Sequence, residues 1–188
     1  MRTNRVKVTP SVAHWHRHIN GVQAPQKIAD WLSNRDSLTA RLMAHSEQFR
    51  VHRLSQGRAK CLADEYAEIR LQRTLQVTAR EVLLCCDDVP VVYAHTILPL
   101  IANAKQWPLF ASLGNRSLGT TLFNDPKVKR GALFYARLHA RHPLVKRILS
   151  LDLIQSPVPH LWARRSIFTR LGSPLLVTEV FLPDIDHL

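Results

Sequence analysis

The sequence lacks the features of a membrane-spanning or secreted protein. No apolar run among its 188 residues approaches the roughly 20 residues that a helix needs to cross a bilayer. The first residues are basic but contain no apolar segment of the kind that a secretory signal requires. We therefore expect a cytoplasmic protein. A hydrophobic content of 46% further excludes a disordered chain and indicates one globular domain with a core of its own.

Cysteine is too scarce for a disulfide framework, and neither Cys nor His has the spacing of a zinc site. The three cysteines are an odd number and include the adjacent pair Cys85 and Cys86. We expect this pair to provide one buried apolar residue and one partly exposed thiol. Three alternating histidines at positions 14–18 have no fourth ligand, so we predict no metal. Residues 1–24 are interpreted as a basic arm that is poorly ordered or loosely docked.

Acidic residues are scarce as well, with 14 Asp and Glu against 26 Lys and Arg and a net charge of +12. Nucleic acid, an anionic membrane surface or an anionic substrate would each explain this charge. A small dianionic substrate needs only two or three of these cations, so the excess stays open. Residues 127–147 hold seven Lys or Arg and no acid. We expect a solvated surface loop or helix there, with a lid, a membrane patch and a nucleic-acid patch as alternatives.

Turn residues and apolar periodicity predict an α+β fold, with helices packed on an antiparallel sheet in a single domain over residues 25–188. Asp87-Asp88 is expected to join two strands, because aspartate tolerates turn conformations. The pattern predicts strands over residues 49–60, 75–86, 91–98 and 131–138 and a final hairpin around 172–174. It also predicts helices that begin near Pro25, at a cap of Asp36 or Ser37, and at Ser117.

The final hairpin, residues 162–183, contains a single acid in an apolar and β-branched strand. That acid, Glu179, requires a partner, because burying an unpaired charge is costly. Arg80, Arg164 and Arg165 lie in other predicted strands and are candidate partners. One acid with several arginines on core-facing strands indicates a pocket for a small anion.

Four segments give the chain its resemblance to a known family. DWLSNRDSLTARL, REVLLCCDDVPVVYAHTILP, SLGTTLF and WARRS…GSPLLVTEVFLP follow one another as they do in the chorismate pyruvate-lyase family. The resemblance covers Ala29 to Pro183, with one interruption between Phe123 and Trp162 where this chain is longer. It implies a monomeric lyase that cleaves chorismate to 4-hydroxybenzoate and pyruvate, the first step of ubiquinone biosynthesis. Since loss of pyruvate makes the ring aromatic, the resemblance implies no cofactor.

The resemblance also implies roles for individual residues. Arg80 matches the family arginine that binds the ring carboxylate, and its planar guanidinium suits that contact. Glu179 matches the family's pocket glutamate, which either contacts the ring hydroxyl or assists as an acid when the ether breaks. Leu118 matches a position whose backbone N–H contacts the ligand carboxylate. It follows Ser117, a candidate N-cap, and free N–H groups at a helix start suit an anion.

Three further positions complete the predicted substrate site. Leu38 stands where the family usually has methionine, and we expect an apolar pocket wall there. Arg164 and Arg165 match an arginine pair of the family. We expect them either to hold Glu179 in place or to contact the enolpyruvyl carboxylate.

Two other functions remain open on the sequence alone. A module of the same fold could bind a small molecule without turning it over, as effector domains of transcription regulators do. The chain has no evident helix-turn-helix segment to accompany such a module. A basic nucleic-acid-binding protein would explain the charge, but no zinc motif or aromatic-studded sheet supports it, and we expect no nucleic acid. Weak contact with an anionic membrane surface is compatible with the charge.

Overall fold

The computed structural model describes residues 11–102, 105–108, 110–154 and 158–188. One six-stranded antiparallel sheet forms the centre of the fold, and its strands lie in the order β1-β2-β3-β6-β5-β4. The strands are β1 (Phe49–Lys60), β2 (Gln76–Cys86), β3 (Val89–Pro99), β4 (Val128–His139), β5 (His160–Arg170) and β6 (Ser173–Phe181), and the α-helices are α1 (Gln26–Ser33), α2 (Leu38–Ala44), α3 (Leu118–Asn124) and α4 (Pro143–Leu149).

Tight hairpins join β2 to β3 and β5 to β6. Asp87 and Asp88 both adopt positive φ angles, of 49° and 65°, as a two-residue hairpin turn requires. Leu171 and Gly172 make the second turn, with φ angles of 48° and 78°. The predicted α+β fold with an antiparallel sheet is confirmed. The second turn lies one residue earlier than expected, since Ser173 already pairs with Arg170.

Both faces of the sheet are covered. Helices α1 and α2 contribute Trp31, Leu32 and Leu42 to a core on one face, while α4 packs with Tyr93 and Leu138 on the other. The three cysteines are all buried. The expectation of a partly exposed thiol is therefore wrong, because the alternating side chains of a strand meet a packed layer on either face.

The basic segment 127–147 is built into the sheet. Residues 128–139 form β4, which pairs with β5 along its length, and residues 143–149 form α4. The predicted strand around residues 131–138 is confirmed. The expectation that residues 127–147 form a solvated surface loop or helix is wrong, because β4 belongs to the sheet and α4 packs against it. Several of its apolar residues are buried, Leu133, Leu138 and Leu144 among them, so the segment is part of the core and not a surface insertion.

The second half of the predicted N-terminal arm is docked on β4. His16 and Tyr135 exchange two backbone hydrogen bonds, of 2.7 and 2.8 Å, and Val22 is fully buried. The indole N–H of Trp15 donates to Asp64 at 2.9 Å. Loose docking is thus wrong for residues 11–24, and residues 1–10 lie outside the described part of the chain. None of the helices described is both long and apolar enough to traverse a bilayer.

Candidate functional site

A pocket opens between one face of the sheet and the helices α2 and α3. It encloses about 600 Å³ of space, with open solvent at its mouth included. Five of the six predicted site residues line it, together with an apolar wall from β1, β2, β3, β5 and β6. These five are Leu38, Arg80, Leu118, Arg164 and Glu179.

Arg80 is a buried cation at one side of this pocket, with an exposed fraction of only 2%. Its Nη2 donates to the carbonyl oxygens of Gly114 and Arg116, both at 3.0 Å, while its Nε is buried without a partner. Burial lowers the pKa of Arg80, and the nearby charge of Arg53 lowers it further. Within the described parts of the chain no carboxylate pairs with Arg80, so an incoming anion would relieve this unpaired charge.

Glu179 lies on the same face, two strands away from Arg80. The strands β2, β3 and β6 are consecutive neighbours, and Arg80 is opposite Thr96, two residues along β3 from Ala94. Two strand spacings of about 4.8 Å and an offset of about 7 Å place the two backbone positions roughly 12 Å apart. Glu179 is opposite Ala94, and both line the pocket. The two side chains therefore line one pocket from different strands of the same sheet face.

Arg164 holds Glu179 in place. Its Nε donates to Oε2 of Glu179 at 2.5 Å, and the two residues are cross-strand partners. Its Nη1 donates to the carbonyls of Trp31, Leu32 and Asn34, at 3.1, 3.3 and 2.7 Å. These carbonyls lie at the C-terminus of α1, where backbone acceptors lack helical partners and a cation is favourable. Two of the three guanidinium nitrogens of Arg164 are therefore bonded within the protein.

Arg165 does not reach the pocket, which corrects its assignment to the substrate site. Successive strand residues point to opposite faces of a sheet, so Arg165 faces away from Arg164. Its Nη1 donates to the carbonyl of Asp64 and its Nη2 to Glu68, both at 2.6 Å. The guanidinium lies 4.3 Å from the centre of the Trp15 ring. Arg165 thus fixes the N-terminal segment and the segment after β1.

The helices α2 and α3 meet above the pocket. Ser37 caps α2 by accepting a hydrogen bond from the N–H of Ala40 at 3.3 Å, as expected. Ser117 occupies the N-cap position of α3, but its side chain makes no capping hydrogen bond. Its hydroxyl lies 2.6 Å from that of Thr39 instead. Gly119 permits this approach, because a Cβ there would lie 2.8 Å from the Thr39 hydroxyl.

Arg130 is a pocket residue that the sequence did not reveal. It lies in β4 opposite Phe168, and both line the pocket. The pairing shifts by one residue between Arg130 and Leu133, so a bulge changes which residues of β4 share a face. The strand predicted over residues 131–138 begins after Arg130, and simple alternation takes no account of the bulge. The sequence pattern therefore does not place Arg130 in the pocket. A glycine at position 131, within an otherwise bulky strand, is the one signal of this bulge.

A buried polar layer lies on the other face of the sheet. His95 has Glu65 3.3 Å from its Nε2 and Glu81 3.9 Å from its Nδ1. Burial by itself would lower the pKa of His95, but these carboxylates outweigh it and raise the pKa above its ordinary value. Asp64 joins the same layer by accepting from His142 at 3.3 Å. His95 and Glu81 adjoin the pocket residues Thr96 and Arg80 in sequence, so this layer supports the strands that carry the site.

His95 should make the stability of the protein depend on pH. Its folded pKa is raised, so protonated His95 stabilises the fold below its unfolded pKa, and this contribution is lost as pH rises through the folded pKa. We expect His95→Gln to lower the free energy of unfolding most at acidic pH and progressively less above neutrality. Urea denaturation of both proteins at several pH values measures this. The exposed His52→Gln serves as control, and parallel curves for wild type and His95→Gln would contradict the assignment.

Sequence comparison relates residues 9–187 to the family described as chorismate lyase. The chain is 51% identical over 160 residues to the "Probable chorismate pyruvate-lyase" of Ralstonia nicotianae, covering 84% of this chain and 82% of the relative. It is 43% identical over 183 residues to the protein of the same name from Nitrosomonas eutropha, covering 97% of this chain and all of the relative. A 45% identical relative of that name from Cupriavidus metallidurans covers 92% of this chain and 81% of its own length.

Structure comparison adds a likeness of fold alone. The effector domain of PhnF from Mycobacterium smegmatis superimposes with a TM-score of 0.53 at 12% identity, covering 80% of this chain and 91% of that domain. A PhnF C-terminal domain gives a TM-score of 0.55 at 13% identity, covering 76% and 88%. The sheet and its covering helices are thus an architecture that both an effector domain and this chain use.

Proposed function

The chain belongs to the chorismate lyase family, and we propose that it converts chorismate to 4-hydroxybenzoate and pyruvate in the pocket between the sheet and helices α2 and α3. The main support is that one apolar pocket contains a buried arginine, which has an unused donor, and a partly buried carboxylate. Arg80 and Glu179 are these two groups, and both line that pocket. The enzyme is a lyase, and its substrate is chorismate.

The reaction is an elimination that leaves no net oxidation or reduction. The bond between the ring and the ether oxygen breaks, and the carbon that bears the ring hydroxyl loses its hydrogen. The ring becomes aromatic, and the departing enolpyruvyl group gains a proton on its methylene carbon to give pyruvate. Aromatisation drives the reaction, so the protein has to bind the dianion, exclude water and stabilise charge on the departing oxygen.

Each pocket residue has a role in this proposal that agrees with its contacts. Arg80 binds the ring carboxylate through its unused donors. The backbone N–H of Leu118, at the uncapped start of α3, is placed to assist. Glu179 accepts a hydrogen bond from the ring hydroxyl, since its pairing with Arg164 presents it as a carboxylate acceptor. Leu38 forms an apolar wall and takes no part in proton transfer.

Arg80→Gln should weaken binding of 4-hydroxybenzoate by about 10- to 100-fold, because a charge-assisted hydrogen bond contributes roughly 1.5–3 kcal/mol. Isothermal titration of the product into the purified variant measures this change. Arg53→Gln is the matched control, because it removes a nearby positive charge without removing a pocket donor. If both variants lose the same affinity for the product, Arg80 acts only through general electrostatic attraction, and the assigned contact is wrong.

The function itself is tested by incubating the purified chain with chorismate and separating the products by chromatography. We expect 4-hydroxybenzoate and pyruvate in equal amounts, at a rate proportional to enzyme. A folded chain that binds 4-hydroxybenzoate but forms none would instead favour a non-catalytic binding module, which the likeness to the PhnF effector domain makes the second candidate.

We further propose that the enzyme acts as a cytoplasmic monomer whose product enters ubiquinone assembly. The net charge of +12 exceeds what a dianionic substrate requires, and weak attraction to an anionic membrane surface would account for the rest. Sedimentation with vesicles of anionic and of neutral lipid distinguishes this attraction from adventitious binding, because only the anionic vesicles should retain the protein, and less so at high salt.

A further inference from the structure

The pocket contains more positive charge than one carboxylate can use. Three guanidinium groups line it, those of Arg80, Arg130 and Arg164, against the single carboxylate of Glu179. Glu179 and Arg164 neutralise each other, which leaves two unpaired cations. Chorismate carries two carboxylates, one on the ring and one on the enolpyruvyl group. With Arg80 assigned to the first, a cation is left for the second.

Arg130 is positioned as a partner for an anion. Its guanidinium lies 5.4 Å from the centre of the Phe123 ring and 5.5 Å from that of Phe168, and these contacts hold its plane against the pocket wall. Its Nη1 donates to the carbonyl of Arg35 at 2.6 Å, which fixes the side chain. Its Nε is buried and has no partner, so a donor remains for a ligand.

The electrostatic surroundings of Arg130 favour the same conclusion. In the parts of the chain that the structure describes, no carboxylate forms an ion pair with it. Burial lowers the pKa of Arg130, while the charge of Glu179 partly opposes this effect. Arg130 therefore lies near the carboxylate that faces the ring hydroxyl. The ether of chorismate is on the carbon next to the one that bears this hydroxyl, so the enolpyruvyl group lies at this end of the pocket.

We infer that Arg130 binds the enolpyruvyl carboxylate of chorismate and stabilises the negative charge that develops on the departing oxygen. This inference rests on the proposed function and identifies a substrate contact that it does not include. Arg164 already forms an ion pair with Glu179, and its Nε and Nη1 are bonded to Glu179 and to the end of α1, so we assign this contact to Arg130, which has no ion pair within the described residues. The product 4-hydroxybenzoate lacks the enolpyruvyl carboxylate, so Arg130 makes no ionic contact with the product once pyruvate departs.

This difference between substrate and product supplies the test. Arg130→Gln should lower kcat/KM for chorismate by about 10- to 100-fold, as loss of a charge-assisted contact implies. The Kd of 4-hydroxybenzoate, measured by titration on the same preparation, should stay unchanged. Arg130→Lys keeps the charge but loses the planar donor pair, and it should recover part of the lost kcat/KM.

Lys129→Gln is the matched control, since it removes an equal charge from the adjacent, exposed position of β4. We expect wild-type kcat/KM for it. Equal losses in Lys129→Gln and Arg130→Gln would mean general attraction of the anion and would overturn the inference. So would wild-type turnover by Arg130→Gln, or a parallel loss of 4-hydroxybenzoate binding. A wild-type protein that forms no 4-hydroxybenzoate would instead refute the proposed function itself.

Discussion

Glu179→Gln is expected to lower kcat for chorismate by roughly 100-fold or more, because loss of one preorganised group aimed at charge that develops in the transition state typically costs about 10²- to 10³-fold. Glutamine has the shape of glutamate and retains an oxygen for the Nε of Arg164. It lacks the negative charge that the ring hydroxyl would meet as the ring becomes aromatic. Binding of 4-hydroxybenzoate should fall much less than turnover, and steady-state kinetics with product titration separate the two.

Glu68→Gln provides a closely matched control for this prediction. Glu68 pairs with Arg165 at 2.6 Å, just as Glu179 pairs with the adjacent Arg164, but on the opposite face of the sheet. Both variants lose an arginine–carboxylate pair, and thermal denaturation shows what each loss costs in stability. If Glu68→Gln loses activity as Glu179→Gln does, stability explains the effect and Glu179 has no special place in the reaction.

Removal of Lys127 to Arg147 is expected to abolish soluble, folded protein. This segment contains β4, with Leu133 and Leu138 buried, and most of α4, with Leu144 and Val145 buried. Burial of one such side chain stabilises a fold by roughly 1.5–3 kcal/mol, and whole domains are stable by only about 5–15 kcal/mol. The deletion would also leave β5 as an unpaired, apolar edge that invites aggregation.

Circular dichroism and size-exclusion chromatography of the deletion variant measure this outcome. A variant with Lys127 and Lys129 both changed to glutamine is the control, because it removes charge from the same segment and keeps the strand. We expect that control to fold normally. A deletion variant that remains soluble and unfolds cooperatively would show that the sheet closes without β4.

The sequence was sufficient to predict the parts of the fold that local rules determine. Asp87-Asp88 and Gly172 indicate turns because few residues tolerate positive φ, and the strands between them follow from their apolar patterns. Glu179 and Arg80 are candidates from the residue pattern alone, and the resemblance implies their individual roles. Their common face could not be derived from spacing, because it depends on the order of β2, β3 and β6 in the sheet.

Other parts of the site depend on the tertiary structure and were missed. Arg164 and Arg165 look equivalent in sequence, yet one holds Glu179 in the pocket and the other binds Glu68 behind the sheet. Arg130 was hidden by the bulge in β4. The network around His95 joins side chains that are far apart in the chain, and no local pattern predicts such long-range pairs.

The measurement that tests the central claim most directly is a crystal structure of the protein with bound 4-hydroxybenzoate. We predict the product in the pocket beneath α2 and α3, with its carboxylate on the guanidinium of Arg80 and its hydroxyl within hydrogen-bonding distance of Glu179. The space beside Arg130 should be left open by the departed pyruvate. Product bound in the reverse orientation, or at another place on the protein, would contradict the site as assigned.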